Sequence, residues 1–311
     1  MADTKPQMRV FFRIWDSDVA ASFRRSPVAI VSGVVALVIV LAALLAPLIA
    51  PTNPYDPSSL NLMDGFTPPM EPNAFTGNTY LMGTDNQGRD VFSTILYGAR
   101  ISLFVGVSAV LLAMALGISA GLVAGYRGGW VDAVLMRVAD VQLSFPSILI
   151  ALLIFGVARG IIPPTQREAM AIWVLIVAIG LSDWVQFARV VRGATMVEKG
   201  KEYVQAARVI GVSPLRILIR HILPNVMGPV LVIATISVAL AIIAEATLSF
   251  LGVGVPPTQP SLGTLIRIGQ QFLFSGEWWI LLFPALTLLA LALSVNMLGD
   301  WLRDALNPRL R

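Results

Sequence analysis

Six stretches of this chain are apolar over a length that would carry a helix across a lipid bilayer, and no other feature restricts its folding so strongly. A crossing helix needs about 20 mostly apolar residues. Residues 28–50, 101–126 and 278–299 run without a charge, and 141–158 does too, although Pro146 interrupts it. The stretch 169–188 carries Asp183, and 222–251 carries Glu245 near its far end. Backbone groups in lipid must bond within their own segment, so each stretch is read as a helix. The alternation that a membrane strand would show is absent. The predicted fold is an all-α polytopic membrane helix bundle with six transmembrane helices.

Composition agrees and removes whole classes of function. Hydrophobic residues make up 56% of the chain and charged residues 13%, against about 45–50% and about 25% in soluble domains. Too little charge remains to coat a water-facing globule, which excludes a soluble enzyme, and disorder needs the opposite bias. With no cysteine and a single histidine, His221, there is no material for disulfides, thiolate metal sites or a cysteine nucleophile. A membrane enzyme would need catalytic groups gathered at one depth, and the scattered acids do not supply them.

The basic residues give the orientation. Seventeen of the 22 Lys and Arg lie before the first stretch, in alternate connections or after the last; five, Arg89, Arg100, Arg159, Arg167 and Arg267, lie on the other side. The positive-inside rule then predicts both termini in the cytoplasm. The organisation that follows is a cytoplasmic segment (1–26), a first transmembrane helix (27–50), an extracytoplasmic loop (51–100), a five-helix core (101–302) and a cytoplasmic tail (303–311). The first apolar stretch exceeds the 7–15 residues of a signal-peptide core, so it is read as retained. Within the loop, residues 51–90 are rich in Pro, Asn, Asp and Gly and are expected to carry little regular structure.

The most informative connection is 200–225, GKEYVQAARVIGVSPLRILIRHILPN. Tyr203, Ala206, Ala207 and Ile210 recur at helical spacing, beginning one residue after Glu202. Gly211 suits the left-handed end of that helix. Ser213 then offers an N-cap and Pro214 a first helical residue, so a second helix begins at once. It carries Leu215, Leu218, Ile219 and Ile222 on one side, and Pro224 marks the entry to the next span. A helix, a glycine turn and a second helix between two spans make a rigid knob, and the small pair Ala206–Ala207 would admit another protein closely. Two other readings compete: an amphipathic loop lying on lipid headgroups, and a DNA-reading helix pair, which the adjoining membrane would block.

The same segment resembles the "EAA" loop of ATP-binding-cassette importer permeases, E-A-A-x3-G-x9-I-x-L-P. Here the pattern falls on Gln205, Ala206, Ala207, Gly211, His221, Leu223 and Pro224. Gln205 stands in place of the glutamate, with Glu202 nearby, and His221 in place of the isoleucine. The stretches 81–100 (LMGTDNQGRDVFSTILYGAR), 249–263 (SFLGVGVPPTQPSLG) and 298–311 (LGDWLRDALNPRLR) are similar to the dipeptide, oligopeptide and nickel branch of the same family. The resemblance implies a type I importer fold, with the knob (199–225) inserted into a cleft on an ATPase subunit. It further implies a homologous second permease, two ATPase subunits and an extracytoplasmic binding protein in the bacterial cytoplasmic membrane, without nucleic acid.

An energy source within the chain is not found. Residues 193–202, GATMVEKGKE, imitate a phosphate-binding loop, but the glycine spacing is wrong and Glu202 stands where Ser or Thr is required. ATP and Mg²⁺ are therefore expected on partner subunits, with no cofactor here. The expected cargo is a dipeptide or short oligopeptide, with nickel, glutathione or another small solute as alternatives. A self-sufficient secondary transporter or channel is the rival of another class, and the missing inverted repeat speaks against it.

Further candidates remain. Asp183 and Glu245 are intramembrane charges, where a functional role is the default and a hydrogen bond or helix pairing is the bland alternative. Gly117, Gly121 and Gly125 form a small-residue ladder suited to close helix packing, either inside the bundle or at a subunit boundary. Residues 83–90, GTDNQGRD, fail the calcium-loop spacing. Gly83, Asp85, Gly88, Arg89 and Asp90 are instead expected to form an ordered turn by the outer gate or a docking surface for the binding protein. Trp278 and Trp279 are expected to anchor at the headgroups.

Overall fold

The computed structural model describes residues 18–305 apart from 57 and 59. The basic residues Lys5, Arg9, Arg13, Arg309 and Arg311 lie outside the described residues. A short helix, α1 (Asp18–Arg25), leads into α2 (Pro27–Leu44). Pro27 opens α2, and the Ser26 hydroxyl accepts a bond from the Ala29 amide at 3.3 Å. One further turn, Ala46–Ile49, follows. The residues α2 buries are small: Ala29, Ser32, Ala36 and Ala43. Its larger apolar side chains point outward, as a lipid-facing helix requires.

Helix α3 (Val91–Arg127) begins ten residues before the predicted span, because Asp90 caps it by accepting from the amides of Phe92 and Ser93. The span predicted over 141–158 is broken. Helices α4 (Gly129–Leu143) and α5 (Ser147–Ile161) meet at 95°, with Pro146 at the N-cap of α5. Then come α6 (Arg167–Glu198), α7 (Glu202–Val209), α8 (Leu223–Phe250), α9 (Leu262–Gln270) and α10 (Trp279–Ala305). Among the described residues, five helices are long and apolar enough to cross a membrane, or six if the bent pair is one span.

The core is organised around α3 and α6, packed together along their length. A Cβ added to Gly117, Gly121 or Gly125 would lie 2.5, 2.5 or 2.8 Å from the carbonyls of Trp184, Ala188 and Arg192. The four-residue rise on one helix matches that on the other, in the same direction, so α3 and α6 run parallel with backbones in contact. The ladder therefore packs inside the chain. Parallel neighbours require the chain to return between them, and α4 with α5 makes that return. Along α4, Asp132 pairs with Arg192 and Asp140 with Arg189. Gln142 donates to the carbonyls of Leu181 and Ser182 at 2.8 and 2.9 Å. A second packed cluster joins α2, α3, α8, α9 and α10 through Ala43, Ile95, Ile242, Leu265 and Leu291.

Candidate functional site

The knob is built at the shared C-terminal end of α3 and α6. Helix α7 ends in a Schellman motif: the Val212 amide donates to the Ala207 carbonyl and the Gly211 amide to that of Arg208, both at 3.0 Å. Gly211 has φ +81°, the left-handed conformation this closure needs. Ser213 occupies the N-cap before Pro214, but its side chain forms no capping bond. The second helix is one α turn, Pro214–Arg216, followed by a π-helix, Ile217–Ile222. The wider π turn, closed by bonds between residues five apart, brings Ile217 and Ile222 towards the same buried side, where Val226 and Val230 of α8 are also buried.

This changes the predicted faces. The inward residues of α7 are Val204 and Ala207, while Tyr203, Ala206 and Ile210 face out. In the second helix Ile217 and Ile222 turn inward, whereas Leu215 and Ile219 are exposed. A simple α-periodicity cannot find Ile217; the π-helix shifts the phase. Gln205, in the position of the family's glutamate, donates to the Lys199 carbonyl at 3.2 Å. Glu202 is exposed in the first turn of α7, and Leu223 and Pro224 open α8.

Polar bonds fasten the base of the knob. The Glu198 carboxylate accepts from Lys201 Nζ at 2.6 Å and from the Tyr203 hydroxyl. Asn225 donates to Tyr203 Oη at 3.2 Å and to the His221 carbonyl at 2.6 Å. Burial and the Glu198 contact push the Tyr203 hydroxyl up to about 12, so it remains a donor. Lys199 Nζ donates to the Gly125 carbonyl at 2.7 Å, and the Arg208 guanidinium stands 5.1 Å from the centre of the Tyr126 ring. α6, α7, α8 and the end of α3 are thus tied together. The tip is the opposite in character. Val209 is 87% exposed, Ile210 77%, Leu215 67% and Ile219 55%. Such an apolar patch marks a surface made for contact.

At the far end of α3, residues 83–90 form a tight knot that buries all but Asn86 and Gln87. Arg89 Nε donates to Asp85 at 2.6 Å, with both side chains 3% exposed, and Asp85 also accepts from the amides of Gln87 and Arg89. Arg89 reaches across to the Pro257 carbonyl at 3.3 Å. Gly83 and Gly88 have φ +75° and +74°, and a Cβ on Gly83 would meet the Trp279 indole. The ordered turn is present: Asp85, Arg89 and Asp90 are buried within it, whereas Asn86 and Gln87 are exposed at its tip. The headgroup anchor expected at Trp279 is not found: its ring is buried and donates to the Thr84 carbonyl at 3.0 Å, leaving Trp278 half exposed.

Glu245 is fully buried and accepts from the hydroxyls of Ser102 and Ser249, each at 2.7 Å. Those serines accept in turn from the amides of Leu262 and Val255. Glu245 therefore joins α3, α8 and the start of α9. Asp183 is half-buried and forms no hydrogen bond or ion pair among the described residues.

Comparison with known proteins places this architecture. The family model described as "Binding-protein-dependent transport system inner membrane component" matches residues 117–311, and "N-terminal TM domain of oligopeptide transport permease C" matches 14–69. The dipeptide transport system permease protein DppC of Haemophilus influenzae is 38% identical over 259 residues, covering 83% of each chain. The oligopeptide transport system permease protein OppC of Bacillus subtilis is 38% identical over 257 residues, covering 83% of this chain and 78% of its own. An inward-facing structure of the MetNI methionine ABC transporter aligns with a TM-score of 0.52 at 18% identity, over 69% of this chain and 96% of that one. At that identity the match speaks to fold alone.

Proposed function

The chain belongs to the binding-protein-dependent transport system inner membrane components, and on that premise we propose that it is the permease subunit of an ATP-driven importer of dipeptides or short oligopeptides. The observation that carries the reading is the knob: a polar-fastened base under an apolar tip that nothing among the described residues covers. An ATPase subunit gripping that tip would move α6, α7 and α8 as one unit, because their ends are bonded together. Alternating access is then a shift between two bundle arrangements, favoured in turn by ATP binding and release.

In this reading α4 and α5 complete a sixth crossing and both termini are cytoplasmic. A homologous second permease lies alongside, two ATPase subunits carry ATP and Mg²⁺, and an extracytoplasmic binding protein delivers cargo. The peptide assignment is supported by relatives named for dipeptide and oligopeptide transport. Co-purification of the tagged chain from its native membrane tests the assembly. Reconstitution of the purified complex with labelled peptide, nickel and glutathione then tests the cargo. Accumulation of peptide only with ATP and all subunits is expected; accumulation by the chain alone, driven by an ion gradient, overturns the proposal.

A further inference from the structure

At the end of the bundle opposite the knob, a cavity of about 200 Å³ opens between the α5–α6 turn and the segment joining α8 to α9. One water needs about 10–15 Å³ by the same measure, so the space admits a small ligand. Its floor is apolar, with Phe155 and Val255, and Pro257 forms part of the wall. Around it stand three guanidiniums, Arg159, Arg167 and Arg267, and one carboxylate, Glu168.

None of these arginines forms an ion pair among the described residues. Arg167 is held through Nε on the Ile162 carbonyl at 3.1 Å, which leaves its terminal nitrogens free to donate. Arg267 Nε is enclosed away from water without an acceptor among the described residues, an uncommon state for a buried donor. Gly252 ends α8 at φ +82°, and a Cβ there would come within 2.7 Å of Arg267 Nη1. The bare backbone at that turn gives the guanidinium its place. The complement of this cavity is a small molecule with a carboxylate and an apolar body.

We propose that this cavity receives the C-terminal carboxylate of a peptide on its way into the permease, with Arg159, Arg167 and Arg267 as donors. The inference rests on the peptide-import reading and names the group by which such a cargo is recognised. A charge-assisted bond lost from a site of this kind weakens binding about tenfold or more.

The test uses the permease–ATPase complex, without binding protein, in nanodiscs of zwitterionic lipid. Its thermal unfolding is followed against dialanine and against dialanine amide. The free acid should stabilise the complex with an apparent affinity about tenfold or more above that of the amide. Arg159→Gln and Arg267→Gln should each reduce the free acid towards the amide, and Arg159→Lys, which keeps the charge on an exposed position, should restore part of the difference. Equal response to acid and amide, or an unchanged acid affinity in Arg159→Gln, overturns the proposal. So does inorganic phosphate acting as well as the peptide, or loss of the response in phosphatidylglycerol nanodiscs, because either assigns the site to a phosphate group. Peptide uptake in proteoliposomes is measured separately. If uptake is absent while acid and amide are still told apart, the import reading falls and the carboxylate site stands.

Discussion

Among single residues, Asp85 and Arg89 carry the heaviest consequence. Their charges face one another in a site closed to water, and removing one partner leaves the other buried and unpaired, at a cost of about 3–5 kcal/mol. Asp85→Ala and Arg89→Ala should therefore lower the thermal midpoint and the yield of purified protein, not merely slow uptake. An unchanged midpoint with lost uptake would return these residues to a transport role. Asp64, in the same extracytoplasmic loop, gives a pH prediction. Burial works to raise its carboxyl, but bonds from Thr76, Tyr80, Asn78 and Asn61 outweigh it and hold the group below its usual 3.8. A lowered carboxylate stabilises the fold above its unfolded value and loses that contribution as pH falls through the folded one. Pepsin should accordingly spare residues 61–80 at pH 3.8 and above and cut them only below it, whereas Asp64→Asn should be cut at both. The composition of 51–90 suggested little order; Asp64 and the Asp85–Arg89 pair supply it through side-chain bonds, which hydropathy does not register.

At the scale of elements, close backbone contact between α3 and α6 sets the tolerance of the bundle. Gly121→Val would drive a branched side chain into the Ala188 carbonyl, 2.5 Å from where its Cβ must sit. Overpacking of that kind costs about 1–3 kcal/mol, and with rigid backbone on the other side the loss should fall at the upper end. Gly156→Ala, on α5 with nothing within 4 Å of the added carbon, should be neutral or stabilising, since alanine favours a helix by about 1 kcal/mol. Thermal unfolding of the two variants checks the contrast. Gly211 differs from both, since its surroundings are open and only its positive φ is demanding. Gly211→Asn should keep transport coupled to ATP hydrolysis, while Gly211→Val should lower peptide moved per ATP, because a branched residue resists that conformation. Equal coupling ratios in the two would remove the turn from the mechanism. The long apolar helices and the glycine ladder were legible because lipid burial and close packing select residue types directly. The early start of α3 was not, because Asp90 and Ser93 begin the helix before the apolar run does. The π-helix also escaped, since it depends on how Ile217 and Ile222 meet α8 rather than on local pattern.

Over the whole molecule, the two sites lie at opposite ends of one unbroken element. Helix α6 starts at Arg167, beside the arginine-lined cavity, and ends at Glu198, in the base of the knob. Thirty-two residues at 1.5 Å each span about 48 Å, and no proline interrupts them. A displacement imposed on the knob is therefore carried along a rigid rod towards the cavity, provided that something grips the tip. Tip and base can be separated by substitution. Ile210→Glu with Leu215→Glu places charge on side chains that touch little of their own chain, so the permease should keep its thermal midpoint but no longer retain the ATPase subunits on an affinity column. Val204→Asp instead buries a charge beneath α7, where Val204 is fully enclosed, and should lower the midpoint as well. If the double glutamate variant still holds the ATPase and transports at the normal rate, the exposed tip is not the grip. The rod formed by α6 would then need a different driver.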